Sequence, residues 1–234
     1  MRALHHDTGM RLTRFTNRTA AGRLLARRLS RYADREDVLV LALPRGGVPV
    51  AAEVADELHA PLDVLVVRKL GVPGHRELAF GAIGPGGARV LIDEVLQDLG
   101  ISDDRVQAVA AEEAMELRRR ERVYRGVAPP RRMTGRTVIL VDDGLATGAT
   151  MRAAVVAARR ARAARVVVAV PVAAADSCEA LAREADDVVC VMAPRPLWSI
   201  GQWCDDFTQV TDQEVCELLE RHTGNRSERE AVAS

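Results

Sequence analysis

Aromatic residues and lysine are scarce in this sequence, and long apolar runs are missing from it. Aromatic side chains make up 3% of the 234 residues, and Lys69 is the only lysine among 33 basic residues. No apolar run approaches the roughly 18 residues that a membrane-spanning helix needs, and no signal-type apolar region opens the chain. The 33 acidic residues balance the 33 basic ones, so no global field favours nucleic acid or a membrane surface. We therefore expect a cytoplasmic protein that binds neither.

Cysteine is also rare, and its spacing excludes two common roles. Cys178, Cys190, Cys204 and Cys216 follow one another at intervals of 12 to 14 residues, which fits neither a redox pair nor a zinc site. We expect buried thiols.

The near-absence of lysine has two interpretations. Lys69 marks a place where a compact ammonium is needed, or it survives by chance in an arginine-rich chain.

The most informative stretch is VILVDDGLATGAT, residues 138–150. Its four apolar residues predict a buried strand, which ends at Asp142 and Asp143, and a turn of small residues then leads into a helix. Ligands of open α/β sheets bind at the carboxyl ends of strands, and a helix N-terminus there offers free N–H groups to a phosphate. The two acids suit hydroxyl groups or Mg²⁺. These features indicate a phosphorylated sugar as ligand, the alternative being an ordinary turn with two solvated acids.

This segment is neither a P-loop nor a GxGxxG fingerprint. It resembles the phosphoribosyl-pyrophosphate (PRPP) motif of type I phosphoribosyltransferases, in which a hydrophobic strand is followed by two acids and a Thr-Gly turn. The resemblance implies that Asp142 and Asp143 hold the ribose hydroxyls and, directly or through them, Mg²⁺. It also implies that the turn residues hold the 5′-phosphate: Ala146, Thr147, Gly148, Ala149 and Thr150.

A second turn, Pro44-Arg45-Gly46-Gly47, follows an apolar strand predicted at residues 38–43. Glycines permit the close approach of an anion, although they equally allow a strand to turn into its helix. The turn resembles the pyrophosphate loop of the same family, which contains a non-proline cis peptide. Because Pro44 replaces the usual small polar residue, the presence of a cis bond here is an open question.

A third strand, predicted at residues 64–67, ends at Arg68 and Lys69 and precedes a Gly/Pro-rich stretch. This pattern resembles adenine phosphoribosyltransferases, and the resemblance implies that both side chains bind pyrophosphate and that the loop and hairpin at 70–90 close over PRPP. The alternative is a surface loop with two exposed bases. Two short strands, 78–83 and 88–92, are predicted to form the hairpin.

The late segment 194–210 contains both tryptophans. Members of the family build a variable hood over the base, so we expect Trp198 and Ile200 to contact the base. Trp203 is expected to anchor the segment on the core.

Strands that alternate with helices predict a doubly wound α/β domain, with a mostly parallel sheet flanked by helices. The long excursion that interrupts this alternation predicts a flexible lid hairpin, and the resemblance implies a small hood. We expect one domain over residues 13–222, with a lid or insert at about 70–130 and flexible ends at 1–12 and 223–234. Within it, Ser102 is predicted to cap a helix that ends near Arg122. A short helix is predicted at 212–221.

The resemblance implies a Mg²⁺-dependent transfer of ribose-5-phosphate from PRPP to a nitrogenous base, of the nucleobase (purine) salvage type, with release of pyrophosphate. It assigns the catalytic roles to Asp142, Asp143, Lys69 and Arg45, and pyrophosphate binding to Arg45, Gly46, Gly47, Arg68 and Lys69. A homo-oligomer, a dimer, is expected. Two alternatives stay open: a non-catalytic regulator that binds PRPP or a nucleotide, and another sugar-phosphate enzyme.

One position narrows the choice of base. Hypoxanthine/guanine enzymes carry a third acid just before the Thr-Gly pair, where this chain has Ala146. A 6-oxopurine is therefore disfavoured, and the identity of the base stays open.

Overall fold

The computed structural model describes residues 14–72, 75–126 and 128–232, without the side chains of 75–78 and 223–232. The strands are β1 (Val38–Ala42), β2 (Leu62–Val64), β3 (Arg68–Val72), β4 (His75–Ile83), β5 (Arg89–Leu91), β6 (Thr137–Val141), β7 (Arg165–Val172) and β8 (Asp187–Met192). The helices are α1 (Arg18–Arg28), α2 (Gly47–Leu58), α3 (Asp93–Asp98), α4 (Asp103–Arg125), α5 (Ala149–Arg160), α6 (Ala175–Leu181) and α7 (Asp212–Val232). The predicted flexible start at 1–12 lies outside the described residues.

A five-stranded parallel sheet in the order β2-β1-β6-β7-β8 forms the centre of the molecule. Ile139 and Val141 of β6 face a core that includes α1 and α2, whereas Val138 and Leu140 face a core that includes α5 and α6. Helices on both faces bury β1 and β6 completely, and β7 and β8 except at their ends, which is why these strands are nearly continuous apolar runs. The predicted fold class is confirmed.

The prediction for the third strand was wrong in its boundaries. Instead of a strand over 64–67 that ends at the basic pair, β2 ends at Val64, and β3 begins at Arg68 in a separate antiparallel sheet, β3-β4-β5. Leu65 and Val66 between them are fully buried in opposite cores. Burial therefore continues beyond the end of strand pairing, and an apolar run alone does not show where the pairing stops.

The predicted hairpin forms, as β4 and β5, but its turn is fastened to the body of the domain. Arg160 of α5 donates a hydrogen bond to the carbonyl of Gly87 in this turn. A Cβ added at Gly84 would lie 3.4 Å from the Cβ of Ala157, so the backbone packs directly on α5. The predicted closure of the lid over a ligand therefore concerns the other end of this sheet, where β3 connects to β4, and it stays a prediction. Residues 73 and 74 of that connection lie outside the described part of the chain.

Two helices run further than predicted. The Ser102 hydroxyl caps α4 as expected, accepting from the Arg105 N–H, and the helix continues to Arg125. Helix α7 extends to Val232 and thereby includes most of the predicted C-terminal tail. The prediction ended the helix too early because its last turns are polar and show no apolar periodicity. Within the described residues, no helix is both long and apolar enough to cross a membrane.

A buried ion pair joins the end of α4 to β2. Arg125 Nε lies 2.9 Å from Asp63 Oδ1, and the two side chains are only 8% and 9% exposed. The Asp63 carboxylate also accepts from the backbone N–H groups of Val64 and Arg131. Arg125 in turn donates to the Val64 carbonyl. This network holds the long helix of the insert against the edge of the central sheet.

Arg125→Met is therefore expected to lower the free energy of unfolding by about 3–5 kcal/mol, because it leaves the Asp63 carboxylate buried without its cation. Arg119→Met removes the exposed pair with Glu116 on the same helix and is expected to cost less than about 1 kcal/mol. Urea denaturation of both variants measures the difference. Equal losses would contradict the structural importance of the buried pair.

Candidate functional site

The loops after β1 and β6 lie side by side at the carboxyl edge of the sheet. The chain leaves β1 toward β2 on one side, while β6 pairs with β1 on the other. The Leu43 N–H donates to the Val141 carbonyl at 2.8 Å and keeps the strands together up to their last residues. In open α/β sheets a crevice at such a switch in strand order is the usual place for a ligand. The two motifs that the sequence predicted to share a site are thus adjacent.

The loop after β1 approaches the acid pair so closely that only glycine fits. A Cβ added at Gly46 would lie 2.0 Å from Asp143 Oδ2, and one added at Gly47 would lie 2.7 Å from the Val141 carbonyl oxygen. Real side chains essentially never approach that closely, so both glycines are required by packing between the two loops. The Pro44-Arg45 peptide bond is cis, which resolves the question that the sequence left open.

The loop after β6 ends in a helix N-terminus that has no side-chain cap. Gly148 precedes α5 with a φ of 78°, and the first helical hydrogen bond runs from the Arg152 N–H to the Gly148 carbonyl. The three preceding N–H groups have no helical acceptor and carry the positive end of the helix dipole. Ala146 and Thr147 before them are exposed. The predicted 5′-phosphate residues 146–150 therefore surround an N-terminus suited to an anion.

The two acids differ in their surroundings. Arg18 Nε lies 2.8 Å from Asp143 Oδ2, with the side chains 12% and 18% exposed. Asp142 Oδ1 accepts the Asp143 N–H at 2.8 Å. Burial raises the pKa of Asp142 well above its usual range, and the charge of Asp143 raises it further, while Arg18 opposes both. Arg18 was missed in the sequence, because no local pattern shows that a residue of α1 reaches this crevice.

The predicted basic pair is not joined to the rest of the site. Arg68 Nε lies 2.7 Å from Glu113 Oε2 of α4, and Lys69 is exposed on β3 opposite Ala82. Among the described residues, neither side chain forms a hydrogen bond or ion pair with the acids or with the loop after β1. Their pyrophosphate role stays a prediction that requires the β3–β4 end to move.

The segment 194–210 covers one side of the crevice. Ile200 packs directly on Gly144, where an added Cβ would lie 2.4 Å from the Ile200 Cγ2. The backbone N–H of Phe15 donates to the Trp203 carbonyl, and the Phe15 carbonyl accepts from the Asp205 N–H. The start of the described chain thus supports the segment 194–210, which we call the cover of the crevice. Trp203 packs against the core as expected, whereas Trp198 is 83% exposed. Base contact by Ile200 and Trp198 stays a prediction.

Comparison with known proteins identifies the family. A family model for the phosphoribosyl transferase domain matches residues 11–206. Two proteins of Mycobacterium tuberculosis, from strains CDC 1551 / Oshkosh and H37Rv, are 48% identical over 207 residues, 88% of this chain and 46% of theirs. Both carry provisional phosphoribosyl transferase names. The crystal structure of TT1426 from Thermus thermophilus matches with a TM-score of 0.76 and 44% identity, over 89% of this chain and 98% of that one. The chain belongs to the phosphoribosyltransferase family.

This phosphoribosyltransferase chain spans less than half the length of the curated relatives, which are matched over 46% of their residues. Family membership therefore applies to the domain described above. The activity and partners of a whole protein of the relatives' length are a separate question.

Arg45 of the phosphoribosyltransferase is held in place by residues of two helices, α7 and α4. Its Nη1 lies 4.0 Å from Asp212 Oδ1 at the start of α7, and the same oxygen accepts from the Tyr124 hydroxyl of α4 at 2.6 Å. Burial and the Asp212 carboxylate raise the pKa of Tyr124 to about 12. The phenol therefore remains a neutral donor at physiological pH, and the insert and the C-terminal helix both support the loop after β1.

No cluster of three or more His, Cys, Asp or Glu side chains with metal-ligand geometry occurs in the described residues. Asp142 and Asp143 are the acids available in the crevice. Two adjacent carboxylates suit Mg²⁺ when a ligand supplies further oxygens, since this ion retains few protein ligands in phosphate sites.

Gly46→Ala is expected to lower the free energy of unfolding by about 1–3 kcal/mol, because the new methyl group must displace the Asp143 carboxylate from Arg18. A crystal structure of the variant should show the 2.8 Å contact between Arg18 and Asp143 lost. Gly84→Ala meets ordinary contact distances and serves as the control, with an expected change below about 1 kcal/mol. An intact ion pair in the Gly46 variant would contradict the steric argument.

Asp212→Asn is expected to lower the pKa of Tyr124 from about 12, because the negative charge that opposes the phenolate is removed. Titration of phenolate absorbance in a Tyr32→Phe background isolates Tyr124, since the chain has two tyrosines. The wild-type protein should also lose stability as the pH rises from about 10 to about 12, since the unfolded chain releases the phenol proton first. An unchanged pKa in the Asp212 variant would contradict the contact.

Proposed function

We propose that this phosphoribosyltransferase transfers the 5-phosphoribosyl group of PRPP to a nitrogenous base and releases pyrophosphate. The observation that carries the proposal is the position of the acid pair between a helix N-terminus and a glycine turn. On one side lies the uncapped N-terminus of α5, and on the other the Gly46-Gly47 turn in direct contact with the Asp143 carboxylate. A ligand with a phosphate, then a diol, then a second phosphate group matches this order.

In the proposed reaction a nitrogen of the base forms a bond to C1 of the ribose while the bond from C1 to the pyrophosphate oxygen breaks. The electron pair leaves with the pyrophosphate, and the proton of the base nitrogen passes to solvent. The transition state resembles an oxocarbenium ion, as in glycosyl transfer generally. Asp142 and Asp143 would fix the ribose hydroxyls and favour the positive charge at C1, while Arg45 and the N–H group of Gly46 would stabilise the leaving group.

Mg²⁺ bound with PRPP would supply further positive charge for the leaving pyrophosphate, and Asp142 and Asp143 are the residues that would hold it. The N-terminus of α5 would anchor the 5′-phosphate away from the reacting carbon and thereby orient the ribose. Lys69 and Arg68 would join the pyrophosphate when the β3–β4 end closes. Closure would also exclude water, which otherwise hydrolyses PRPP.

Two residues of the chain, Ala146 and Ile200, bear on which base is the acceptor. Ala146 offers no carboxylate to a purine ring, and Ile200 presents an apolar surface beside Gly144. The missing acid favours a base other than a 6-oxopurine, in a nucleobase salvage reaction, and Ile200 would offer the base an apolar contact. In the alternative function, a regulator binds PRPP without turnover. It is favoured by the ion pair of Arg68 with Glu113, which already engages a side chain predicted to bind pyrophosphate.

A pyrophosphate-release assay with Mg²⁺ and PRPP against a panel of bases tests the proposal, and turnover with at least one base is expected. Tight PRPP binding without turnover on any base would instead establish the regulatory function. Absence of both would overturn PRPP as the ligand.

Asp143→Asn is expected to weaken PRPP binding about 10- to 100-fold, the effect of losing a charged hydrogen bond of about 1.5–3 kcal/mol. Isothermal titration calorimetry measures this, with Asp98→Asn, an exposed site on α3, as the matched control. Unchanged PRPP binding by the Asp143 variant would show that the acids are assigned wrongly.

A further inference from the structure

The position of Arg18 at the start of α1 is unfavourable for the helix itself. It is the first residue of α1, and the helix is capped by the Asn17 side chain, which accepts the Ala20 N–H at 2.9 Å. A positive charge at a helix N-terminus is unfavourable because it opposes the positive end of the helix dipole. The arginine therefore costs α1 stability, and a compensating role must be sought in what the guanidinium contacts.

One contact is with the acid pair. Arg18 Nε donates to Asp143 Oδ2 at 2.8 Å, and both side chains are largely withdrawn from water. The same carboxylate oxygen lies against the Cα of Gly46, so it cannot move toward the loop after β1. With the guanidinium on one side and the glycine on the other, the carboxylate is held in a single orientation.

The other contacts of Arg18 are with the cover of the crevice. Its Nη1 donates to the Thr208 carbonyl at 2.7 Å, and its Cζ lies 3.8 Å from the centre of the Phe207 ring, a cation–π distance. The Phe207 ring packs on Gly201, the residue after Ile200. Ile200 in turn packs on Gly144 next to the acids. Arg18 thus links the segment 194–210 with Asp143 through direct contacts.

We propose that Arg18 is a positioning residue that holds Asp143 in its diol-binding orientation and ties the cover over the acceptor to that acid. This inference rests on the proposed function, since it assigns the diol to PRPP and the cover to the base. It goes further by naming the residue through which the two binding regions depend on each other. Arg18 itself contacts neither substrate in this scheme and acts through Asp143 and Phe207.

Arg18→Met tests the proposal, because methionine keeps the apolar stem but donates no hydrogen bond. PRPP binding in the presence of Mg²⁺, measured by calorimetry, should weaken at least tenfold, and the KM values for PRPP and for the accepted base should both rise while kcat changes less than threefold. Arg18→Lys keeps the charge and should recover part of the PRPP affinity. Arg23→Met, also on α1, removes the ion pair between the exposed Arg23 side chain and Glu53 of α2 and should leave all these values unchanged.

A double-mutant cycle separates positioning from general support of the fold. If Arg18 acts through Asp143, then Arg18→Met should weaken PRPP binding far less in an Asp143→Asn background than in the wild type. Full additivity would overturn the proposal, and so would unchanged PRPP binding by the Arg18→Met variant. Far-UV circular dichroism confirms folding, and if Arg18→Met fails to fold, Arg18→Lys carries the cycle, with full additivity as the outcome that overturns the proposal.

The wild-type titration distinguishes the role of Arg18 from the proposed function of the protein. Failure of the wild-type protein to bind PRPP would overturn the proposed function, and the role of Arg18 with it. Tight binding by the wild type together with wild-type binding by the Arg18→Met variant would overturn the role of Arg18 alone.

Discussion

The Asp143 carboxylate lies between the guanidinium of Arg18 and the bare Cα of Gly46, and the rest of the crevice depends on this contact. A carboxylate largely withdrawn from water needs a cation, so α1 must dock beside the end of β6. Because Gly46 has no side chain, the backbone of the loop after β1 can lie in direct contact with the acid. One ion pair and one missing Cβ thus set the distance between Asp143, the proposed diol ligand, and the loop proposed to bind pyrophosphate.

The central sheet makes this contact possible. In a parallel sheet all carboxyl ends lie at one edge, and the pairing of β1 with β6 at a switch in strand order makes two loops of distant sequence neighbours. The peripheral elements then restrain the loops from outside. Tyr124 at the end of α4 and Asp212 at the start of α7 meet beside Arg45, and the Asp63–Arg125 pair fixes α4 to the sheet. The insert after β3 therefore supports the site as well as carrying the predicted lid.

Features with a short-range cause were predictable. The run at 138–141 was expected to be a buried strand and lies in β6, and Ser102 was expected to cap α4 and does. The end of β2 and the full length of α7 were not predictable. Residues 65 and 66 stay buried after pairing has stopped, so the apolar pattern shows no boundary there. The last turns of α7 are polar, and hydrophobic periodicity, the signal used for the other helices, is missing from them.

Within the site, too, local features were predictable from the sequence and contacts between distant residues were not. The residues themselves determined its local chemistry: a strand, two acids, a turn of small residues and a helix N-terminus in immediate succession, which together favour a phosphate and a diol. Only the tertiary structure decided which charges meet. Arg18 and Asp143 are 125 residues apart, and Arg68, expected to face a ligand, is paired with Glu113. Backbone hydrogen bonding and side-chain periodicity act over a few residues, whereas the partner of a charged side chain is chosen by strand order and helix docking.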